Sequence, residues 1–247
     1  MYRVVVFAYD FPHQKSEDFI LASGLSGIDL VGVIAAPKRA LPSYAHFRGY
    51  QPLSEPPPHD TARLCSRLGI DYVVLDHDDP SSVSRYVTSR NANLAIVAGA
   101  RILSAAVIDQ FRHGIINFHP GKIPETSGLD AFYWMLEKSS PAGVTVHLID
   151  RKVDAGQFIA FESVTVERED TLATVSRKIY VSQLVALRTV LDTIGKGVAF
   201  STSAIDRPSK NPPMSNEQRA AAVAKFDEWK KRYSKSALLH AGDSRAM

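Results

Sequence analysis

The sequence predicts an α/β protein built on a doubly wound, mostly parallel sheet. Three observations carry that reading. Residues 2–8, 28–36 and 94–99 are continuous apolar runs rich in β-branched side chains, the mark of strands covered on both faces. Helical stretches of about ten residues alternate with such runs, as βαβ units require. After residue 140 two strand-like runs follow each other closely, which predicts an antiparallel pair added to the sheet.

Each element follows in order. "YRVVVFA" opens the first strand, and a helix capped by Ser16 is expected over 16–25. "IDLVGVIAA" is the second strand. Residues 37–58 carry six prolines and read as an irregular loop. Helices are expected over 60–68, 80–90, 104–111 and 129–137, and strands over 71–75, 94–99 and 114–119. "GVTVHLID" alternates, with Val144, Val146 and Leu148 on one face, and "GQFIAFESVTV" supplies its partner strand. A long amphipathic helix starts at a cap on Asp170 and runs to residue 194. Residues 201–247 are polar, with Pro208, Pro212 and Pro213 and a basic helix over 217–233. The expected organisation is one domain over 1–200 and a partly helical C-terminal extension over 201–247.

Composition narrows the function. The chain has 247 residues, 45% hydrophobic and 22% charged, which suits one large globular domain. No apolar run approaches the ~20 residues that cross a bilayer, so no membrane partner is expected. Cys65 is the single cysteine, so an internal disulfide is excluded and a reducing, cytoplasmic location is the expectation. A net charge of +3 without a dense basic stripe leaves no footprint for nucleic acid. Lys225, Lys230, Lys231, Arg232 and Lys235 cluster in the tail. They read as a solvated face, with tRNA contact as the alternative. Dinucleotide, P-loop, serine-hydrolase and zinc-protease motifs are all missing. His113 and His119 lie on opposite sides of a turn, so no metal site is expected.

Three stretches carry chemistry. In "NFHPGKIPETSG", Asn117 and His119 end an apolar run two residues apart. In an extended chain both side chains leave one face, and Pro120 stops the strand there. In an open α/β sheet, ligands gather at strand carboxyl ends. "IDRKVDAGQFI" places Asp154 before Ala-Gly between two strand runs, a pattern that is also an ordinary turn. "VAGARIL" is a strand leading into a turn of small residues.

Together these stretches resemble the folate-dependent formyltransferase family. The shared features are Gly99 with Arg101-Ile102-Leu103, the run from Asn117 to Pro120 with Pro124 and Gly128, and an Asp-containing loop 35 residues after the histidine. The resemblance is good over residues 90–180. It implies Asn117, His119 and Asp154 as the catalytic triplet, and N10-formyltetrahydrofolate as co-substrate with no metal. It also implies a pterin held by Ala100, Arg101, Ile102 and Leu103 and by Ile149, Asp150, Arg151 and Val153. A protonated His119 and the Asn117 amide suit an oxygen that gains negative charge as an amine attacks. Asp154 favours the imidazolium and helps move the amine's proton.

The acceptor is argued by elimination. "AYDFPHQKSED" after the first strand has no glycine to nest the phosphate of glycinamide ribonucleotide. Residues 201–247 are too few for the tRNA domain of the methionyl-tRNA enzymes. The remaining resemblance is to the nucleotide-sugar N-formyltransferases, which implies a GDP- or dTDP-linked amino sugar, a role in O-antigen or surface-polysaccharide synthesis, and a homodimer. Tyr9, Lys122 and Pro124 are the candidate substrate contacts. Tyr9, Phe11, Tyr44, Phe47 and Tyr50 offer a base-stacking surface or, equally, loop anchors. The alternatives are formylation of methionyl-tRNA or glycinamide ribonucleotide, and a non-catalytic folate- or nucleotide-sugar-binding protein.

Overall fold

A computed structural model describes residues 1–39, 49–53, 55–151, 154, 156–205 and 210–234. Eight strands form one sheet in the order β3-β2-β1-β4-β5-β6-β7-β8. The first five are β1 (Val4–Tyr9), β2 (Leu30–Ala36), β3 (Tyr72–Val74), β4 (Leu94–Val97) and β5 (Ile115–His119), and they run parallel. Next come β6 (Gly143–Leu148) and β7 (Gln157–Ser163), an antiparallel pair that continues the sheet from β5. A short β8 (Ser203–Ala204), inside the stretch expected to be a polar tail, closes the edge.

The parallel strands are buried on both faces, which is why they read as continuous apolar runs. Alternate residues of β1 enter different cores. Val4, Val6 and Ala8 pack toward α1 (Gln14–Leu25) and α6 (Leu172–Gly195). Val5 and Phe7 pack toward α3 (Pro80–Ser89) and α4 (Ala105–Ile108). Beside α1 on the same face lies α2 (Thr61–Leu68), capped by Asp60 and closed by Gly69 in the left-handed region. The same parity decides the site strand. Phe118 is buried against Phe19 of α1, worth about 1.5–3 kcal/mol of apolar burial. Asn117 and His119 therefore share the opposite face with Ile115.

Two helix starts differ from expectation. The first turn of α1 is capped by His13, whose side chain accepts from the Ser16 N–H, so the helix begins at Gln14 and Ser16 lies inside it. At α6 the cap is Thr171, in a reciprocal capping box with Thr174. Asp170 instead accepts from the Glu167 N–H and pairs with Lys178, nearly two turns into the helix. The basic C-terminal helix is in fact two, α7 (Asn216–Ala224) and α8 (Phe226–Tyr233), joined at Lys225. Both pack back on the domain, α7 against α5 (Ala131–Glu137), and Trp229 donates its indole N–H to the Ser140 carbonyl.

Candidate active site

The site is assembled where the sheet changes direction. Asn117 of β5 is paired in register with His147 of β6, and His119 with Thr145. The turn from β6 into β7 then brings Asp154 back over this face. Asp154 has φ 51°, a left-handed conformation that aspartate tolerates better than most residues. Its Oδ2 accepts the Gly128 N–H at 2.6 Å, so the loop after β5 and the turn after β6 are tied together.

Around Asp154 the distances define a polar cluster. Nδ1 of His119 is 3.5 Å from Oδ2 of Asp154, and Nε2 of His147 is 4.0 Å from Oδ1. Asn117 Nδ2 lies 3.2 Å from His147 Nε2, so the amide donates and His147 accepts at that nitrogen. On its other edge, His119 Nε2 lies 3.0 Å from the Thr126 carbonyl. A carbonyl only accepts, so Nε2 carries a proton. Nδ1, on the opposite edge of the ring, faces the Asp154 carboxylate, so both edges of His119 look onto acceptors. Burial works to raise the Asp154 carboxyl, but the hydrogen bond and charge of His119, the Gly128 N–H and His147 together hold it below the usual aspartate range.

Asn117 and Asp154 form one wall of a cavity of about 180 Å³. The other walls are Val97, Ala100, Arg101, Ile102 and Leu103, and Ile149, Asp150 and Arg151. Seven of the eight residues expected around a pterin therefore line it, and Val153 lies outside the described residues. Among the described residues, the backbone N–H and C=O groups of Arg101, Ile102 and Leu103 have no protein partner. The Ile102 side chain is exposed beside them. Unpaired peptide edges next to exposed apolar surface fit a flat heterocycle with donors and acceptors in its plane.

The candidate substrate contacts fare differently. None of Tyr9, Lys122 and Pro124 lines this cavity. Tyr9 props the turn instead: its hydroxyl donates to the Ala100 carbonyl at 3.0 Å, and its ring stacks on Phe11. Lys122 pairs with Glu125, and Pro124 is exposed. Tyr50 lines a separate cavity of about 380 Å³ with Arg177 and Tyr180, and Tyr44 and Phe47 lie outside the described residues. In the tail, Lys225 pairs with Glu137 and Lys230 donates to the Asp170 carbonyl, so these cations serve the fold; Lys235 is outside the described residues.

Sequence reasoning missed His147 and Thr126. The signal for His147 was present in "GVTVHLID": once Val144, Val146 and Leu148 are assigned to one face, Thr145 and His147 must take the other. Thr126 had no local signal, because its carbonyl matters only through the folded loop. Lys15, at the start of α1, was also passed over. Its Nζ is 3.3 Å from the Phe118 carbonyl, next to His119 in sequence, and burial lowers its ammonium to about 7.

The chain is 31% identical over 144 residues to the trifunctional purine biosynthetic protein adenosine-3 of Gallus gallus, covering 55% of this chain and 14% of that one. It is 25% identical over 193 residues to the methionyl-tRNA formyltransferase of Pelotomaculum thermopropionicum, covering 78% and 59%. It thus spans less than two thirds of either relative. Among solved structures, phosphoribosylglycinamide formyltransferase from Anaplasma phagocytophilum superposes with a TM-score of 0.61 at 23% identity, over 80% of this chain and 89% of that one. A 4-N formyltransferase from Francisella tularensis gives 0.59 at 16% identity, over 90% and 86%. Residues 58–191, more than half of the chain and the part that holds every residue of the polar cluster, match the Formyl transferase family, and the chain belongs to that family.

Proposed function

We propose that this protein transfers a formyl group from N10-formyltetrahydrofolate to the amine of a nucleotide-linked amino sugar. One observation carries the chemistry. Asn117 and Asp154 line the wall of a cavity, with His119 3.5 Å from Asp154, and the far side of that cavity offers the backbone of Arg101 to Leu103, unpaired among the described residues. The folate supplies the formyl carbon. In the transfer the acceptor nitrogen bonds to that carbon, the carbon's bond to N10 breaks, one proton leaves the amine and one reaches N10.

The chain's own groups have defined tasks in this reading. Asn117 spends one amide N–H on His147 and keeps the second for an oxygen that gains negative charge. The transfer calls for His119 as the donor form, with a proton on Nδ1 that is not fully committed, because 3.5 Å to Asp154 is long for a hydrogen bond. Asp154 receives the proton lost by the amine.

Two observations support an amino sugar as acceptor. The β1–α1 connection has no glycine nest: the Tyr9–Phe11 stack and the His13 cap occupy it. The superposition on a "likely sugar N-formyltransferase" from Mycobacterium tuberculosis extends over 90% of the chain, against 80% for the phosphoribosylglycinamide enzyme from Anaplasma phagocytophilum. A cytoplasmic homodimer serving surface-polysaccharide synthesis goes with this reading. The test is one assay with N10-formyltetrahydrofolate and three acceptors in parallel: glycinamide ribonucleotide, charged initiator tRNA, and a panel of GDP- and dTDP-amino sugars. A sugar is expected to be formylated most efficiently. Higher efficiency on either of the other two overturns the acceptor, and no transfer to any overturns the activity.

A further inference from the structure

We infer that Asn211, in the C-terminal extension, is a positioning residue for the site: it clamps the loop that orients His119 and Asp154. The inference rests on the proposed formyl transfer for its kinetic consequence, though not for its geometry.

Asn211 is buried, with 9% of its surface exposed. Its side-chain Nδ2 donates to the carbonyls of Glu125 at 2.8 Å and Ser127 at 2.9 Å, and its backbone N–H donates to Ser127 at 3.0 Å. These ties grip the residues on either side of Thr126, whose carbonyl accepts a hydrogen bond from His119 Nε2–H. The next residue, Gly128, donates to Asp154 and lies directly on the Asn211 backbone. A Cβ there would come within 2.5 Å of the Asn211 carbonyl oxygen, and φ is +97°. The clamp therefore bears on both partners of the ion pair at once.

Asn211 is itself held. Lys138 donates to its Oδ1 at 2.5 Å, which turns the amide so that both N–H groups face the loop. Downstream, the Met214 N–H and the Arg219 guanidinium both bind Asp130, and the Trp134 indole donates to the Pro212 carbonyl. Arg219 and Asp130 are nearly buried, so this anchorage is stiff. Asn211 does not line the cavity, so its effect passes through the loop.

The test compares Asn211→Asp and Asn211→Ala with the parent and with Trp229→Phe. Asn211→Asp keeps the size and the Lys138 contact but removes both amide N–H ties. Trp229→Phe loosens the same extension at a point away from the loop. For both Asn211 variants kcat is expected to fall about 10- to 100-fold, the scale of misplacing a catalytic group by up to ~1 Å, with KM for the folate little changed. Nitrogen NMR of the imidazoles should show loss of the fixed Nε2–H form of His119 and an altered titration. Trp229→Phe should lower the melting temperature and leave kcat and the His119 signals as they were. Lys138→Met, which keeps both N–H ties but frees the amide to rotate, should show the same changes at smaller size. It decides the matter if the Asn211 variants do not fold. Unchanged kcat and unchanged His119 signals in Asn211→Asp, or in Lys138→Met where the Asn211 variants do not fold, overturn the proposal. So does a kcat loss in Trp229→Phe as large as theirs. If the parent formylates no acceptor, the functional reading fails, while the NMR comparison still decides the role of Asn211.

Discussion

Oδ2 of Asp154 lies 3.5 Å from Nδ1 of His119, and both side chains are withdrawn from solvent. At that depth the carboxylate acts on the imidazole charge with little screening.

Replacing the carboxylate by an amide tests this. Asp154→Asn keeps an acceptor for the Gly128 N–H and a residue that tolerates φ 51°, so the fold is expected to hold. Formyl transfer should drop by about 100-fold or more, because the carboxylate that faces Nδ1 and receives the amine's proton in the proposed transfer is gone. A stability readout accompanies it. The Asp154 carboxyl is depressed in the folded state, so its contribution is present above the ordinary aspartate pKa of ~3.9 and is lost as pH falls through the lower folded value. The parent should lose more melting temperature on acidification through that window than the Asn variant does.

His119→Asn removes the imidazole and leaves a smaller polar side chain. Turnover is expected to fall about 100- to 1,000-fold, with folate affinity changed far less, since the cavity wall at Ala100 to Leu103 is untouched. Equilibrium binding of a folate analogue, measured beside initial rates, separates the two. Near-normal turnover would remove His119 from the mechanism.

His147 and Asn117 should act as a unit. Half-buried Asn117 donates to Nε2 of fully buried His147 at 3.2 Å. His147→Gln and Asn117→Ala are each expected to reduce kcat, and the double variant to lose less than the two losses combined. Strict additivity in this cycle would mean that Asn117 is oriented by something else.

Lys15 predicts a rising limb in stability with pH. Its folded pKa of about 7 lies below the ordinary lysine value of ~10.4, so the folded state binds one proton fewer between them. Stability then increases as pH rises through that window. Lys15→Met should melt at a higher temperature than the parent near neutral pH, and the difference should shrink toward pH ~10. Parallel melting curves for the two proteins across this range would contradict the assignment.

The parallel strands were legible in the sequence because burial on both faces leaves uninterrupted apolar runs, as in Val4 to Ala8. Asn117 and His119 were legible because a two-residue spacing at a strand end has one geometric meaning. Asp154 was legible from the family motif, since by itself Asp-Ala-Gly is only a turn. His147 was hidden inside an alternation counted by its apolar face. The cap at Thr171 rather than Asp170 turned on which of two adjacent oxygen-bearing side chains reaches back to the helix. Asn211 left no trace in a local window: its partners Glu125 and Ser127 are 86 and 84 residues away.

That separation has a consequence for how the protein comes into being. All eight strands are present by Ala204, while the grip on Glu125 and Ser127 waits for Asn211 and the helices that anchor it. A chain leaving the ribosome from its N-terminus completes the sheet first and fastens the loop beside His119 afterwards. On the inferred role of Asn211, competence is a late event in biogenesis, since a nascent chain carrying every residue of the cavity wall still lacks the side chain that ties Glu125 to Ser127.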